Sequence, residues 1–475
     1  MTCCASDRRR RNISAKRSTR RWTTVVRGRR QRDIVNVRRI AFACMVGTTV
    51  EFYDFYIYGT AAALTFPTVF FPNLSPALAT IASMGTFAAA FVSRPLGGAV
   101  FGHFGDRIGR KATLVATLLI MGLSTVAVGL TPGAATIGVA APLIVLALRL
   151  LQGIAVGGEW AGSALLAAEY APAHQRGRYG IFTAVGAGIA MVLTGVTFLL
   201  VNATVGETSP SFLNWGWRIP FLLSGLLVAF ALYVRVSIEE TPVFSNQSAP
   251  PRVPLAEVMR QQWRTVLLAS GSFVALFAFV FMAGTYLTSY AHSQLGLSRT
   301  AILFAGLLGG LVWVAVVPVS AGLSDRVGRR PVMLSGWAVA LPWSFAVLPL
   351  IDADKPALFA VAIAGTYGIA AFAYAPMTSF VPELFTTSHR YTGAGLAINI
   401  SGILGGAVPP LIAEPLSVRY GSWSIGLMLA VLVAVSLWCT YRLPETRGKS
   451  LDDVITPAIS RSGGSHAELR RDASD

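Results

Sequence analysis

Twelve apolar stretches of about 20 residues recur between Ile40 and Tyr441, separated by short polar breaks. Each is long enough to cross a hydrocarbon core of about 30 Å as an α-helix. A helix satisfies its own backbone hydrogen bonds in lipid, and the alternating pattern of a membrane β-barrel is missing. The sequence therefore predicts an all-α polytopic membrane protein. The predicted spans cover residues 40–65, 77–101, 112–131, 139–163, 179–202, 217–236, 264–289, 299–322, 331–350, 356–378, 392–414 and 421–441.

The composition agrees with this class. Of 475 residues, 54% are hydrophobic and only 13% are charged, and the mean hydropathy is +0.59. So few charges cannot cover the surface of a soluble globule of this size, so the apolar excess is expected to face lipid.

Lysine and arginine between the spans predict the orientation. They concentrate in alternate loops, and such loops are usually cytoplasmic. Both termini are then cytoplasmic, as an even number of spans requires, in a multi-pass protein of the cell membrane. The residues of the basic loops are Arg107, Arg110, Lys111, Arg176, Arg178, Arg252, Arg260, Arg326, Arg329, Arg330 and Arg390.

Residues 1–39 form a basic segment with 14 Lys or Arg and two Asp. The main interpretation is a disordered tail that lies near anionic lipid headgroups. Nucleic-acid binding is not expected, because no folded motif accompanies the charge. An over-extended start of the reading frame is a third interpretation.

An internal repeat predicts two halves. GHFGDRIGRK begins at Gly102 and AGLSDRVGRR begins at Ala321, each directly after an apolar span. This is the pattern of two six-helix bundles that rock about a central site. The predicted organisation is a tail over 1–39, bundles over 40–236 and 264–441, a Pro-rich cytoplasmic linker over 237–263 and a cytoplasmic tail over 442–475.

The repeated loop resembles the signature loop of the major facilitator superfamily. The finer resemblance, over about residues 40–450, is to the metabolite:proton symporter family, which includes shikimate, 2-oxoglutarate, citrate and proline/betaine carriers. This resemblance implies a transporter of the same fold. The segments that carry it are VEFYDFYIYGTAAAL from Val50, RPLGGAVFGHFGDRIGRK from Arg94, RLLQGIAVGGEWAGSALLAAEY from Arg149, GWRIPFL from Gly216, EETPVF from Glu239 and PELFTTSHRYTGAGLAIN from Pro382.

The signature loops are the predicted gates. Their glycines permit a tight turn, the Asp can face the positive end of a helix dipole, and the basic residues can hold carboxylates. The resemblance implies that such a loop locks the inner face while the outer face is open. The second copy departs from the pattern at Ala321, where glycine is expected. The gating residues are Gly102, Asp106, Arg107, Gly109, Arg110, Asp325, Arg326 and Arg329.

Two carboxylates in the first span, Glu51 and Asp54, are the candidate proton carriers. Three residues apart, they share one face of a helix. An ionised carboxylate in hydrocarbon is costly, so each must face a polar cavity, pair with a cation or bind a proton. The resemblance implies that Asp54 faces Arg149 of the fourth span and exchanges a proton. A permanent structural ion pair is the alternative.

The fourth span carries Arg149, Gln152 and Glu159 on one stripe, which predicts a polar site. Gly153 and Gly157 on that span lack side chains and allow close approach of a neighbouring helix. The resemblance places this stripe in the substrate and proton pathway. Bracing of helices by Arg149 or Glu159 is the alternative.

Arg94 lies within the second span, directly before Pro95. Its guanidinium suits the carboxylate of an anionic or zwitterionic substrate. The alternative is an internal partner for Glu51 or Asp54. Aromatic residues could line the cavity or only pack between helices, and they are Tyr53, Tyr56, Trp160, Tyr286, Tyr290 and Tyr374.

Enzyme chemistry is not expected. The five histidines have no metal-ligand spacing, and the P-loop, G-x-S-x-G and H-E-x-x-H motifs are absent from the sequence, so neither a cofactor nor a metal is predicted. The sequence instead favours a proton-coupled symporter for a small organic acid or a zwitterionic osmolyte. An exporter or uniporter on the same fold is the alternative. The expected partners are the substrate, protons and the lipid bilayer; the sequence leaves the oligomeric state open and is compatible with a monomer.

Overall fold

The computed structural model describes residues 41–108, 110–159, 162, 176–206, 209–236, 254–386 and 389–448, with the backbone alone at residues 99, 102–108, 110, 111 and 254–256. In this part of the chain, twelve long helices account for the predicted spans. The helices are α1 (41–64), α2 (Pro76–Ile108), α3 (Arg110–Leu130), α4 (Ala140–Val156), α5 (Arg176–Val205), α6 (Ile219–Val236), α7 (Trp263–Ser293), α8 (Arg299–Val327), α9 (Arg329–Asp352), α10 (Pro356–Glu383), α11 (Arg390–Tyr420) and α12 (Trp423–Arg442).

Ten of these helices are long and apolar enough to cross a membrane, and α4 is a shorter apolar helix. The first helix, α1, carries the charged residues Glu51 and Asp54 within its 41–64 range. Short helices occupy several of the connections. They are Phe66–Phe70, Ala134–Ile137, Pro210–Asn214, the 3₁₀ turn Gly216–Arg218 and Pro254–Gln261. The last of these lies in the C-terminal part of the predicted linker.

The helices extend beyond the apolar windows at the ends that carry the signature loops. The α2 helix continues through Gly102 and Gly105 to Ile108, so the tight turn expected at these glycines is not there. In the second copy, α8 continues to Val327 and the reversal falls on Gly328, whose φ of 124° favours glycine. A helix that continues into the polar interface keeps its backbone hydrogen bonds, which explains the extension.

The helices pack into the two bundles that the sequence predicts. Within the first, α2 packs on α4, and α3 packs on α4 and α6; within the second, α8 and α9 pack on α10, and α7 packs on α12. The two bundles meet mainly along α5 with α8 and along α2 with α11. The structure is therefore the major facilitator fold of two six-helix bundles.

Glycines on α4 permit its close approach to α2, as the sequence predicts. A Cβ atom built on Gly153 would lie 2.1 Å from the Ala90 carbonyl oxygen, and one on Gly157 would lie 2.0 Å from that of Arg94. On the facing helix, a Cβ on Gly97 would lie 1.9 Å from the Ile154 oxygen. Any side chain at these positions would force the two helices apart, and with them the polar residues that they carry.

Two helices of the second bundle contain a π-helical turn. Met282–Tyr286 interrupts α7 and Gly402–Ala407 interrupts α11. Such turns widen the backbone locally and are frequent at functional sites. Both turns contain a glycine close to the first bundle: Gly284 lies near Gly59, and Gly402 lies near Arg94.

The bundles touch at both ends of the molecule. We call the end with Ile108, Arg176, Val327 and Glu383 the signature end, and the end with Leu64, Val205 and Arg299 the opposite end. At the opposite end, the Asn202 side chain donates to Thr300 Oγ1 (2.8 Å) and Arg299 donates to the Leu64 carbonyl (3.3 Å). At the signature end, Gly177 N–H of α5 donates to Asp325 of α8 (3.1 Å).

Candidate functional site

The first bundle holds a cluster of charged groups buried among its helices. Three arginines and three carboxylates belong to it, and each residue is at most 9% exposed. Burying charges between membrane helices is expensive unless they have partners or a function. We call these six residues the charged cluster: Glu51 and Asp54 on α1, Arg94 on α2, Arg149 on α4, Glu159 just beyond α4, and Arg235 on α6.

Asp54 is held by neutral hydroxyl groups. Ser224 donates to Oδ1 (2.5 Å) and Thr125 donates to Oδ2 (2.6 Å). The Gln152 amide in turn donates to Thr125 Oγ1 (2.6 Å), and Arg149 donates to Gln152 Oε1 (2.8 Å). The predicted Asp54–Arg149 pair is therefore not in direct contact. Thr125 and Gln152 connect the two through an unbroken chain of hydrogen bonds.

Arg149 lies against aromatic rings. Its guanidinium carbon is 3.8 Å from the centroid of Tyr58, 4.9 Å from Phe55 and 5.6 Å from Phe87. Ring faces attract a cation, and the attraction grows when both are out of water. These rings hold the positive charge of Arg149 in place while its carboxylate partner stays at a distance.

Glu159 pairs with Arg235, which the sequence did not suggest as a site residue. Arg235 Nη2 lies 2.6 Å from Glu159 Oε1. The guanidinium passes beside Gly47 of α1, where a Cβ atom would lie 2.6 Å from Nη2. Arginines are common at the ends of membrane spans, so the position of Arg235 did not mark it as a site residue. Gly47, one helical turn before Glu51, is the sequence feature that makes room for its guanidinium.

Glu51 and Arg94 stand in contrast to that pair. Within the described part of the chain, Glu51 Oε2 and Arg94 Nε have no hydrogen-bond partner. Glu51 nevertheless interacts electrostatically with Glu159, Arg94 and Arg235. The Arg94 guanidinium lies between two rings, 4.3 Å from the centroid of Phe55 and 4.5 Å from that of Phe91. Both side chains are thus buried without a saturating partner.

An aromatic layer, formed by Phe55, Phe87, Phe91 and Phe281, lies next to the charged cluster. Phe91 and Phe281 have centroids 5.0 Å apart, and Phe55 and Phe91 are 5.5 Å apart. Three of the four rings also line a cavity of about 60 Å³ between the bundles. Sites for drug-sized ligands are usually ~300 Å³ or more, so this cavity admits water but not a ring-sized metabolite.

The cavity carries hydroxyl groups and no charge. Its lining comes from α1, α2, α5, α7, α8 and α10, so both bundles contribute. The hydroxyl-bearing residues of the lining are Tyr56, Thr60, Thr194, Thr285, Thr288 and Tyr367.

Two aromatic residues proposed from the sequence lie away from this cavity. Tyr53 donates its hydroxyl toward the Pro220 carbonyl (3.2 Å), between α1 and α6. Tyr286 stacks on Tyr290 with centroids 6.2 Å apart. Tyr56, also considered from the sequence, and Tyr367 line the cavity instead. Trp160 falls outside the described residues.

The signature end has its own ionic network. Asp325 of α8 accepts hydrogen bonds from Gly177 N–H (3.1 Å) and Arg178 N–H (3.0 Å), at the start of α5. It also pairs with Arg329 (2.7 Å). Asp325 therefore faces the positive end of a helix dipole, as expected from the loop, and that helix belongs to the other bundle.

Glu383 adds a second connection between the bundles. It lies 3.6 Å from Arg176 of α5 and 3.7 Å from Arg329 of α9, and Thr446 donates to it (2.5 Å). Sequence reasoning missed Glu383 and Arg176 as a pair, because they are 207 positions apart. Arg326 is exposed. Of the first signature loop, the structure describes the backbone of Gly102, Asp106, Arg107 and Arg110 and does not describe Gly109.

Comparison with known proteins agrees with this architecture. The sequence model of the Major Facilitator Superfamily matches residues 44–398. The crystal structure of a D-xylose–proton symporter has the same fold, with a TM-score of 0.67 at 20% identity, over 87% of this chain and 100% of that one.

Relatives with recorded functions cover nearly the whole chain. It is 42% identical over 422 residues to the inner membrane metabolite transport protein YhjE of Escherichia coli K12, covering 87% of this chain and 95% of that protein. It is 37% identical to the shikimate transporter of the same strain, and the match covers 82% of this chain and 90% of that protein. It is 32% identical to the proline/betaine transporter of Salmonella typhimurium LT2, and the match covers 90% of this chain and 87% of that protein. The chain therefore belongs to the Major Facilitator Superfamily and is a multi-pass membrane transporter of metabolites, not an enzyme.

Proposed function

We propose that this transporter is a proton-coupled symporter that takes up a small organic acid or a zwitterionic osmolyte. The observation that carries the proposal is Asp54, a carboxyl group buried in the membrane whose contacts are two hydroxyls rather than a cation. Such a group is stable both with and without a proton, because each hydroxyl can donate to a carboxylate or accept from a carboxylic acid. A permanent structural ion pair would instead hold the carboxylate in direct contact with arginine.

The hydrogen-bonded chain supplies a means of coupling. When Asp54 loses its proton, its negative charge acts on Arg149 through the hydrogen bonds of Thr125 and Gln152. A shift of α1 or α4 during the transport cycle would shorten or break this chain and so change which form of Asp54 is favoured. Gln152 lies on this path, Arg94 shares the Phe55 ring with Arg149, and Glu51 is one helical turn from Asp54. We assign Arg94, Gln152 and Glu51 to the substrate and the proton. Arg149 and Glu159 complete the coupling set.

We also propose the orientation and the gate. In this proposal the signature end and both termini are cytoplasmic, the bundles cover 40–236 and 264–441, and the linker covers 237–263; the basic loops support this orientation. The contacts of Asp325, Arg329 and Glu383 across the bundles then form the inner gate. Asp106, Arg107 and Arg110 would act in the same way in the first copy.

The relatives indicate the range of substrates. By its name, one relative transports shikimate, which is a carboxylate, and another transports proline and betaine, which are zwitterions. Arg94, with its unpartnered Nε, is a suitable group for the carboxylate that both kinds of compound share.

Purified protein in proteoliposomes tests the symport proposal. With an acidic outside buffer, labelled shikimate or betaine should accumulate above the outside concentration, and a protonophore should abolish the accumulation. Added substrate should also alkalinise a weakly buffered outside medium. A uniporter would equilibrate the substrate without a pH change, and an exporter would accumulate it only with the gradient reversed.

A further inference from the structure

The end of α4 is held by two side chains of the second bundle. The Gly157 carbonyl accepts a hydrogen bond from the Asn399 amide (3.0 Å), and the Gly158 carbonyl accepts one from the Tyr391 hydroxyl; both donors are on α11. Glu159 follows directly in the chain. We propose that Asn399 and Tyr391 are positioning residues that hold Glu159 in its buried ion pair while the signature end is closed, and release it when that end opens. This inference rests on the inner gate and the coupling set proposed above.

The two carbonyl groups need donors from outside α4. The last carbonyls of a helix have no partner within it. The α4 helix ends at Val156, and Gly157 and Gly158 form the turn that follows. Both glycines are buried, and a buried carbonyl without a donor is costly between membrane helices. The donors on α11 therefore stabilise this turn in its observed position.

Glycines admit the α11 side chains to the turn. A Cβ atom built on Gly158 would lie 3.5 Å from the Tyr391 hydroxyl oxygen. On α2, a Cβ atom built on Gly98 would lie 3.3 Å from the Asn399 amide nitrogen and 3.4 Å from the Gly157 carbonyl oxygen. A side chain at either position would crowd one of the two hydrogen bonds.

The position of Glu159 depends on this turn, because its partner is fixed elsewhere. Arg235 Nη2 lies 2.6 Å from Glu159 Oε1, and Arg235 Nη1 donates to the Leu114 carbonyl of α3 (3.1 Å). If the turn moves, the guanidinium stays with α3 and α6, whereas the carboxylate moves with the turn. Among the described residues, Glu159 Oε2 has no hydrogen-bond partner that would hold the carboxylate back. The ion pair therefore depends on the position of the turn.

The same two hydrogen bonds connect the turn to the gate. Tyr391 lies in the first turn of α11, eight residues after Glu383 of the signature end. The α11 helix packs on α2 across the boundary between the bundles. If the signature end opens as proposed, α11 leaves the turn, and its hydrogen bonds break together with those of Asp325. The gate and the ion pair of Glu159 then change in one step.

Tyr391→Phe removes the hydroxyl alone and tests the inference. The full chain in lipid nanodiscs is treated with a water-soluble carbodiimide and glycinamide, which convert water-accessible carboxyl groups to amides. Fragment mass spectra give the rate of labelling at Glu159. Opening of the signature end is followed in parallel, in a background without the native cysteines. Arg178→Cys, at an exposed position at the start of α5, reports it by the rate of reaction with a soluble maleimide.

We expect Tyr391→Phe to raise both rates by about two- to tenfold, which is the shift of an equilibrium that the loss of one hydrogen bond produces. Asn399→Leu removes the other donor and should act in the same direction. If it does not fold, Tyr391→Phe still decides. A rise of the cysteine rate alone would mean that α11 closes this end without holding Glu159. A rise at Glu159 alone would mean a local disturbance of the turn. Either result, or two unchanged rates, would overturn the inference.

Two variants control for a general loosening of the protein. Tyr290→Phe removes a tyrosine hydroxyl that donates to Asp352 (2.9 Å) within the second bundle. Asn202→Leu removes an amide that connects the bundles at the opposite end (2.8 Å). Neither should raise the labelling of Glu159. A rise as large as that of the α11 variants would attribute the effect to lost stability and would also overturn the inference.

The outcome is separable from that of the proposed function, because neither rate requires a substrate or a proton gradient. The expected rate changes in a protein that transports without proton coupling would refute symport and leave this inference intact. Unchanged rates in a protein with proton-driven accumulation would do the reverse.

Discussion

At the scale of single residues, the path of Arg235 depends on the absence of a side chain at Gly47. The guanidinium reaches from α6 past α1 to Glu159, and it has no room for a methyl group, since a Cβ atom at Gly47 would lie 2.6 Å from Nη2. The pair that forms there balances one of the buried carboxylates. A charge that loses its partner in this position is costly.

Gly47→Ala should therefore destabilise the protein by moving Arg235 away from Glu159. The guanidinium is the flexible end of its side chain and can move aside, so the loss should be a fraction of the about 3–5 kcal/mol that breaking a buried ion pair costs, with a matching fall of the melting temperature in detergent. In a Glu159→Gln background the same change should cost much less, because no carboxylate is left unpaired. Gly306→Ala, with nothing within 4 Å of its Cβ, is the control. Equal losses in both backgrounds would show that Gly47 serves only to pack helices.

The sequence pointed to five of the six residues of the charged cluster, but not to Arg235 or to the neutral residues that connect them. Glu51, Asp54, Arg94 and Arg149 stand out because charges are rare in membrane spans. Thr125 could not be recognised, because threonines in such helices commonly bond to their own backbone, as Thr131 does to the Ala127 carbonyl. Only the three-dimensional arrangement shows that Thr125 faces Asp54.

At the scale of elements, the start of α5 is held by a residue of the other bundle. Its first N–H groups have no partner within the helix, and Asp325 of α8 accepts from those of Gly177 and Arg178. The carboxylate also lies at the positive end of the helix dipole. If the signature end opens as proposed, these bonds must break, so we expect Asp325 to stabilise the closed form.

Asp325→Asn should shift the transporter toward a form that is open at the signature end. The amide keeps the shape but loses the charge, which at a helix start is worth about 0.3–2 kcal/mol. A single cysteine near Gly177 should react faster with a soluble maleimide, while surface expression stays near normal. Asp354→Asn, in an exposed turn, is the matched control. An unchanged labelling rate would mean that Asp325 is not part of the gate.

The spans were predictable because a membrane helix needs a fixed length of apolar sequence. Their continuation past the apolar windows was not predictable, because the signature-loop residues after Phe101 include glycines and charged residues that are typical of a turn. The helix through Gly102 and Gly105 and the π-helical turn Gly402–Ala407 are set by tertiary packing. Local sequence does not distinguish such glycines from those of an ordinary loop.

At the scale of the whole molecule, charge is divided unequally between the bundles. The first bundle supplies the charged cluster, and the second supplies the π-helical turns, hydroxyl groups and aromatic rings that face it. The second bundle also buries two carboxylates of its own, Glu383 at the signature end and Glu414 on α11. Rocking of one bundle against the other would therefore move a surface with few charges over the charged cluster.

The orientation of the molecule follows from the basic loops and is open to a direct test. In a variant without the native cysteines, a single cysteine near Arg252 should react only with reagents on the cytoplasmic side. One at Asn214, which lies exposed at the opposite end, should react only from outside. Permeabilised cells, in which both should react, are the control. Reversed labelling at either position would refute the proposed orientation.

The proton-carrying role of Asp54 is the central claim, and Asp54→Asn tests it most directly. The amide imitates the protonated carboxyl group permanently, so in proteoliposomes the variant should still exchange labelled for unlabelled substrate across the membrane. It should lose accumulation driven by a proton gradient. If Asp54 instead only braces the helices near Arg149, folding should fail and an added Arg149→Gln should partly restore it. Full proton-driven accumulation by a well-folded Asp54→Asn protein would contradict the account and move the coupling site to Glu51 or Glu159.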